Sequence, residues 1–322
     1  MLKNGALSSV LNTVLSRSQT HKLDITIDFD FTCDQNDSVL ELQGNVWAAL
    51  TAYAERWKKL NLSLSQFDMS ELLGLRSRLS SLKECVLHCY EMGPRWESMI
   101  DAFQHSPELT HMDLQGMAPN TFVPFTAPNL ESFKYRVEIC DGEEWNDGDG
   151  IPLEYFFNII RNSPNLVALD VICEYSSYDT VSPRIVKPLL SKLAVNNTAF
   201  LRSLLVPALK EATLTTDFYD SERGQPGSPT DFLADFHDLL VESRCSTLSC
   251  LAISINLLNQ HLLSILQLTP ALISFKLHQY TWKDQYDVVM QEFVVQLTNA
   301  EAFLPRLEEI DLNLPICRGV DI

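Results

Sequence analysis

The sequence of 322 residues predicts an irregular α/β solenoid, with a parallel sheet on its concave side and helices on its convex side. Two observations predict this class. A short phrase with an anchor residue and two alternating apolar residues recurs eleven times, and most intervals between its copies contain an apolar stripe of helical period. Alternating apolar residues form a short strand with one buried face, and repeated strand–turn–helix units stack into a parallel sheet.

Seven copies of the phrase read Pro-x-Leu-x-x-φ-x-φ, where φ is mostly aliphatic or aromatic. They begin at Pro107, Pro128, Pro164, Pro188, Pro207, Pro270 and Pro305. Four weaker copies lack the proline and are anchored at Thr20, Trp57, Leu82 and Leu248. The pattern L-x-x-L-x-L is typical of leucine-rich repeats, here of irregular length. The sequence therefore predicts a single domain over residues 1–322, an irregular leucine-rich-repeat solenoid of about eleven repeats.

The intervals between the phrases predict helices and three loops. Residues 6–16 form a candidate N-terminal capping helix, and each proline is expected to stop the helix that precedes it. Phe232, Phe236, Leu239 and Leu240 form one apolar stripe of helical spacing. Residues 116–128, 141–150 and 217–229 are predicted loops because they are rich in proline, glycine or acidic residues.

The composition argues against several classes of function. The chain has 42 acidic and 24 basic side chains, a formal net charge of −18, which disfavours binding to nucleic acid or to an anionic membrane surface. No apolar stretch is long enough to cross a membrane. None of the eight cysteines forms a C-x-x-C pair, so we expect reduced thiols and a cytoplasmic or nuclear protein.

The sequence predicts no catalytic, cofactor-binding or metal-binding residue, and hence no enzyme. It contains no G-x-S-x-G, G-x-G-x-x-G, P-loop or H-E-x-x-H motif. Cys85 and His88 lie close in sequence, but strand alternation sends them to opposite faces, where they cannot share a metal ion. The segment 141–150 is a solvated acidic loop, a weak site for divalent ions or a partner-binding loop.

The strand residues between the inward ones form two columns on the predicted concave face. The central column reads Asp24, Asn61, Val86, Asp113, Lys134, Asp170, Ala194, Thr213, Ala252, Lys276 and Asp311. The next column reads Thr26, Ser63, His88, Gln115, Arg136, Ile172, Asn196, Thr215, Ser254, His278 and Asn313.

From these columns we select the charged and polar residues most suited to binding a partner protein. They are Asp113, Gln115, Lys134, Arg136, Asp170, Lys276, His278 and Asp311. Mixed polar and apolar composition suits a protein interface, and the alternative is that these are ordinary solvated strand residues.

The chain resembles the substrate-binding leucine-rich region of the F-box proteins of mushroom-forming fungi. The resemblance covers nearly the whole chain and rests on Ala54-Glu-Arg-Trp57-Lys-Lys-Leu60-Asn-Leu62, on Leu15-Ser-Arg-Ser18 leading to Leu23-Asp-Ile-Thr-Ile27, and on Ser106-Pro107-Glu-Leu109 and Leu205-Val-Pro207-Ala-Leu209. It implies a receptor that selects a target for a cullin–RING ubiquitin ligase. No Leu-Pro-x-Glu phrase typical of an F-box precedes the first repeat.

Two functions follow as hypotheses. The chain is the recognition region of an F-box-type receptor, which contacts the ligase adaptor only if an F-box lies outside it. Alternatively, it is a free-standing leucine-rich-repeat scaffold or inhibitor with no link to ubiquitin. In either case the target protein is unknown. Because only Leu314–Ile322 follows the last predicted strand, we also expect an exposed sheet edge there.

Overall fold

The computed structural model describes residues 4–28, 37–65, 72–90, 99–117, 122–137, 151–173, 183–215, 232–255, 258–279, 282–299 and 303–315. The chain divides into two compact units. The first contains Met1–Asn165 and Cys173–Ser177, and the second contains Leu166–Ile172 and Tyr178–Ile322. The predicted loops at 141–150 and 217–229, with part of the loop at 116–128, lie outside the described residues, and a single solenoid over the whole chain stays a prediction.

The first unit contains five parallel strands that pair in chain order. They are β1 (Leu23–Asp28), β2 (Trp57–Ser65), β3 (Glu84–Tyr90), β4 (His111–Gln115) and β5 (Ser132–Arg136). Its helices are α1 (Asn4–Arg17), α2 (Asp37–Thr51) and α3 (Leu153–Asn162). Short 3-10 turns at Ala54–Arg56, Leu73–Leu75 and Asp101–Phe103 precede β2, β3 and β4.

The second unit repeats this arrangement. Its parallel strands pair in the order β6 (Ala168–Ile172), β8 (Lys192–Val195), β10 (Glu211–Thr215), β11 (Cys250–Ser254), β12 (Ser274–His278) and β13 (Glu309–Asn313). Strands β7 (Ile185–Val186) and β9 (Leu204–Leu205) form a separate parallel pair. The helices are α4 (Thr198–Ser203), α5 (Phe232–Ser243), α6 (His261–Gln267) and α7 (Gln285–Asn299).

The predicted class, α/β with parallel strands, is therefore confirmed. The described residues contain eleven strands in the parallel ladders and seven α-helices. Among these helices none combines the length and the apolar character that a membrane crossing requires.

Helices cover the inward side of the strands. In the first unit the rings of Phe133 and Tyr135 lie 6.4 and 5.3 Å from the ring of Phe156 on α3. In the second unit Phe275 of β12 lies 5.7 Å from Phe293 of α7. The apolar stripe predicted at 232–240 is buried on α5, which confirms that this face of the helix packs against the core.

The proline phrase forms a β-turn, which differs from the predicted role of stopping a helix. The anchor leucine donates its backbone N–H to the carbonyl of the residue before proline at distances of 3.0–3.3 Å, at Leu109, Leu130, Leu190, Leu209, Leu272 and Leu307. Proline stands at the second position of this turn, where its fixed φ is favourable. A helix ends within three residues of the proline only at Pro164 and Pro270 among the described phrases.

A second backbone pattern joins most successive phrases within each unit. The carbonyl that follows the anchor residue accepts two consecutive N–H groups from the following repeat, at 2.8–3.1 Å. The seven carbonyls that do so belong to Lys83, Thr110, Val167, Ser191, Lys210, Ser249 and Ile273. We call this pattern the double-amide ladder. It satisfies the polar backbone at the start of β4, β5, β8, β10, β11, β12 and β13 and aligns these strands with their neighbours.

Arg56, in the turn before β2, joins this turn to the C-terminal end of α1. Its guanidinium donates to the carbonyls of His21 (2.9 Å) and Leu15 (3.1 Å) and to the hydroxyl of Ser18 (2.6 Å). These bonds satisfy acceptors at the C-terminal end of the helix. The adjacent Trp57 is fully buried. The phrase on which the family resemblance chiefly rests therefore contributes packing and helix capping in this structure.

The register of the first repeat corrects the sequence columns. We expected Asp24 beside Asn61, but Thr26 pairs with Asn61 and Asp24 pairs with Lys59. An irregularity between Leu23 and Asp24 leaves Lys58 without a register partner, because Leu23 pairs with Trp57. The residues of β1 that align with Leu60 and Leu62 are therefore Ile25 and Ile27, two residues later in the chain than predicted.

At Gly116 the backbone lies very close to the backbone of the neighbouring repeat. It has a φ of +65°, and a Cβ at this position would lie 2.0 Å from the carbonyl oxygen of Cys89. We expect Gly116→Ala to lower stability by about 2–4 kcal/mol, because both the backbone conformation and the overlap are unfavourable. Gly44→Ala is the control, since a Cβ there meets nothing within 4 Å and alanine favours the helix. Urea unfolding measures both, and equal midpoints would contradict the prediction.

The residue before proline is buried in every described phrase, and at one of these positions it is a lysine. The set comprises Ser106, Ala127, Ser163, Lys187, Val206, Thr269 and Leu304. Burial lowers the pKa of Lys187 from its ordinary value of 10.5. Below this lowered pKa, folding must bury a charged ammonium, and the unfavourable contribution disappears as pH rises to 10.5.

We therefore expect Lys187→Met to be more stable than the wild-type protein. This difference in stability is expected to be largest near neutral pH and to decrease as pH rises to 10.5. Thermal unfolding at several pH values measures this difference. Lys210→Met removes an exposed lysine and serves as the control for loss of a surface charge. A difference that stays constant for Lys187→Met would contradict the prediction.

Candidate functional site

The candidate site is the open face, defined as the alternate residues of the parallel strands whose side chains point away from the helix-covered core. In register, these residues form three columns in each unit instead of the two predicted ones. The additional column comprises Asp24, Lys59, Glu84, His111 and Ser132 in the first unit and Ala168, Lys192, Glu211, Cys250, Ser274 and Glu309 in the second. The periodicity of the phrase could have revealed this column, because each member precedes the first inward strand residue.

The first-unit cluster contains four of the predicted residues on β4 and β5. Asp113 pairs in register with Lys134, and Gln115 pairs with Arg136. The amide nitrogen of Gln115 donates to both carboxylate oxygens of Asp113, at 2.9 and 3.0 Å. The ammonium of Lys134 donates to Asp113 Oδ2 at 3.2 Å. Asp113 is therefore held by two neighbours, and Arg136 lies exposed at the C-terminal end of β5.

The cluster continues onto β3, where Val86 pairs with Asp113 and His88 pairs with Gln115. One row across the three strands thus reads Val86, Asp113, Lys134, and the next reads His88, Gln115, Arg136. The second row offers an imidazole, an amide and a guanidinium, groups that can donate hydrogen bonds to acceptors of a partner. The first row has a hydrophobic side chain beside an ion pair. This combination of apolar and hydrogen-bonding groups suits a protein interface.

The second-unit cluster contains Lys276 and His278 on β12 and Asp311 on β13. Lys276 pairs in register with Asp311, but its ammonium contacts Glu309 Oε1 at 3.2 Å. The hydroxyl of Ser274 donates to Glu309 Oε2 at 2.6 Å. These hydrogen bonds, from Ser274 first and Lys276 second, hold the pKa of Glu309 below its ordinary value.

The remaining candidate, Asp170, does not join this cluster. It lies on β6, and three strands separate β6 from β12 within the second unit. At about 4.8 Å per strand, the separation is on the order of 19 Å. The eight candidates therefore comprise four residues in the first unit and four in the second, where Asp170 lies apart from the cluster of Lys276, His278 and Asp311.

Ion pairs between neighbouring strands recur across the open face. Lys59 contacts Glu84 at 2.7 Å, and Lys192 contacts Glu211 at 2.9 Å. The hydrogen bond to Glu84 raises the pKa of Lys59. Because these pairs compensate each other's charge, the face has a far smaller local charge than the net charge of the chain suggests.

The chemistry of the interior is consistent with the strand alternation expected from the sequence. Cys85 is buried, whereas His88 on the same strand is half-exposed on the open face. Burial raises the pKa of the Cys85 thiol well above its ordinary value. In the part of the chain that the structure describes, no three His, Cys, Asp or Glu side chains come together to hold a metal ion.

Comparison with protein-family models gave no match, and neither did comparison with curated proteins.

The pair Asp113–Lys134 is the best test of how strongly the open face is organised. Both side chains are 27% exposed, compared with 43% and 40% for Lys59 and Glu84. We expect a double-mutant cycle of Asp113→Asn and Lys134→Met to give a coupling of about 0.5–1 kcal/mol, because shielding from water strengthens the attraction.

The matched cycle of Lys59→Met and Glu84→Gln is expected to give a smaller coupling, because both of these side chains are more exposed to water. Urea unfolding of the four proteins in each cycle measures both couplings. A larger coupling for the exposed pair would contradict the prediction.

Proposed function

We propose that this chain is a protein–protein interaction domain of the leucine-rich-repeat type, which binds a target protein through its open face. Parallel strands in chain order, formed by the alternating residues of the L-x-x-L-x-L phrases, support the repeat type. The observation with the most weight is the regular array of partly exposed side chains on the open face, in which apolar, hydrogen-bonding and paired charged groups alternate. Such mixed surfaces are typical of protein interfaces.

The first-unit cluster is the proposed centre of binding. Arginine is frequent among the residues that dominate interface energies, since its planar guanidinium binds carboxylates in two-point contacts. Arg136 stands at the edge of a surface that Asp113, Gln115 and Lys134 already order through hydrogen bonds. A surface that is ordered before binding loses less conformational entropy when a partner arrives.

The more specific proposal is that the chain is the recognition region of an F-box-type receptor of a cullin–RING ubiquitin ligase. It rests on the sequence resemblance. In this role the chain selects the target and has no catalytic activity of its own, and it contacts the ligase adaptor only through an F-box outside the chain. The alternative is a free-standing scaffold or inhibitor without a ubiquitin link. Both roles place the protein in the cytoplasm or nucleus.

We expect Arg136→Glu to weaken target binding by about tenfold or more, as loss of a central interface arginine does. The measurement is cross-linked affinity capture with the full chain, followed by quantitative mass spectrometry. Lys210→Glu makes the same change of charge at an exposed side chain outside the three columns and is the matched control.

Proteins lost with Arg136→Glu and retained with Lys210→Glu support binding at the open face. A parallel capture uses the native full-length transcript product: recovery of a ligase adaptor with it supports the receptor role, and its consistent absence favours the scaffold role. If Arg136→Glu, shown to be folded by circular dichroism, retains every captured protein, the proposed binding centre is wrong.

A further inference from the structure

The last strand, β13, differs from its neighbours in the exposure of its inward row. Ile310 and Leu312 are 43% and 39% exposed, whereas their register partners on β12, Phe275 and Leu277, are 0% and 1% exposed. All five residues of β13 are exposed. Within the described residues, β13 thus presents an apolar row of the kind that the next strand covers elsewhere in the second unit.

The backbone at this edge continues the double-amide ladder. The N–H groups of Glu308 and Glu309 both donate to the carbonyl of Ile273, at 2.8 and 3.0 Å. The carbonyl of Glu308, which follows the anchor Leu307, holds the position in the double-amide ladder that would accept two N–H groups from a further strand. None of the described residues donates to it. The edge therefore has an acceptor in the position that pairs successive strands.

The charges on β13 indicate which side chains a following strand would have. On the open face, basic and acidic residues pair across neighbouring strands in register, as Asp113 does with Lys134. Asp311 has Lys276 as its register partner, but the ammonium of Lys276 contacts Glu309. Among the described residues Asp311 has no ion-pair partner. A lysine or arginine on the next strand would lie beside it.

We propose that β13 is a docking site for an extended segment of a partner protein that alternates apolar, basic and apolar residues. The segment pairs parallel with β13, covers Ile310 and Leu312, donates two N–H groups to the Glu308 carbonyl and places its basic side chain beside Asp311. This is strand addition to a sheet edge, in which backbone bonds supply affinity and alternate side chains supply specificity. It is independent of target binding at the first-unit cluster.

A second copy of the chain fits this edge less well. Two β13 strands related by a two-fold axis run antiparallel, and pairing centred on Asp311 places the two Asp311 carboxylates opposite each other. Like charges directly opposite on a sheet are destabilising. The acidic edge therefore selects a basic segment over itself.

The test uses a synthetic peptide with the sequence Pro-Asn-Leu-Glu-Ser-Phe-Lys-Tyr-Arg. This is the chain's own phrase from Pro128 to Arg136, which has the required alternation. Its binding to the full chain is measured by NMR titration of the amides of β13. We expect a peptide with Glu in place of Lys to bind about fivefold more weakly, as for a partly exposed ion pair replaced by a repulsive one.

Reversing the charge at position 311 gives the most specific part of the test. Asp311→Lys is expected to reverse the preference, so that the Glu peptide binds more tightly than the Lys peptide. Thr213→Lys adds a lysine to the same column on the interior strand β10 and is expected to leave the preference unchanged. A peptide N-methylated at its Glu and Ser, which lacks the two donors for Glu308, is expected to lose binding. Ile310→Ser is also expected to weaken binding, and it changes an exposed side chain.

Three outcomes would overturn the proposal. The first is equal binding of both peptides to the wild-type chain, or no binding of either. The second is a dimer in analytical ultracentrifugation that Ile310→Ser abolishes, which would assign the edge to a second copy. The third is peptide binding that occurs only after truncation at Pro315, which would assign the edge to the chain's own residues 316–322.

Discussion

The double-amide ladder is the constraint on which the rest of the structure depends. At seven of the described repeats, the carbonyl after the anchor residue accepts two N–H groups from the next repeat, as the Lys83 carbonyl does from Thr110 and His111. Buried polar backbone that lacks a partner is strongly unfavourable, so every repeat has to start at the same level as its neighbour. The intervals between phrases can therefore vary widely in length and structure, because only the turn and the strand have to match.

This shared starting level also orders the open face. When strands start in register, their alternate side chains lie in straight rows, and a lysine on one strand lies beside a carboxylate on the next. The pairs Lys59–Glu84 and Lys192–Glu211 form at equivalent positions in different units for this reason. Among the described residues, the same register leaves β13 with an ordered edge that no further strand covers. The two surfaces that we propose for binding, the open face and the edge, thus both follow from one backbone pattern.

Much of this could be predicted from the sequence, and the exceptions have physical reasons. The registers of Asp113 with Lys134 and of Lys276 with Asp311 follow directly from aligning the phrases. The first repeat was misaligned by two residues, because the burial of Trp57 and its pairing with Leu23 override the local pattern. The prediction that proline stops a helix was also wrong at most phrases, where proline belongs to a β-turn. The hydrogen bond of a turn depends on backbone geometry, which cannot be derived from the spacing of apolar residues.

The sequence alone determined the class of fold, the location of the strands and the separation of inward from outward residues, because hydrophobic alternation and the period of a helix are local properties. Tertiary structure decided which outward residues meet. Asp113 is bound by Gln115 and Lys134, whereas Lys276 contacts Glu309 more closely than its register partner Asp311. Such choices depend on side-chain reach and competing partners across strands, which no single phrase contains.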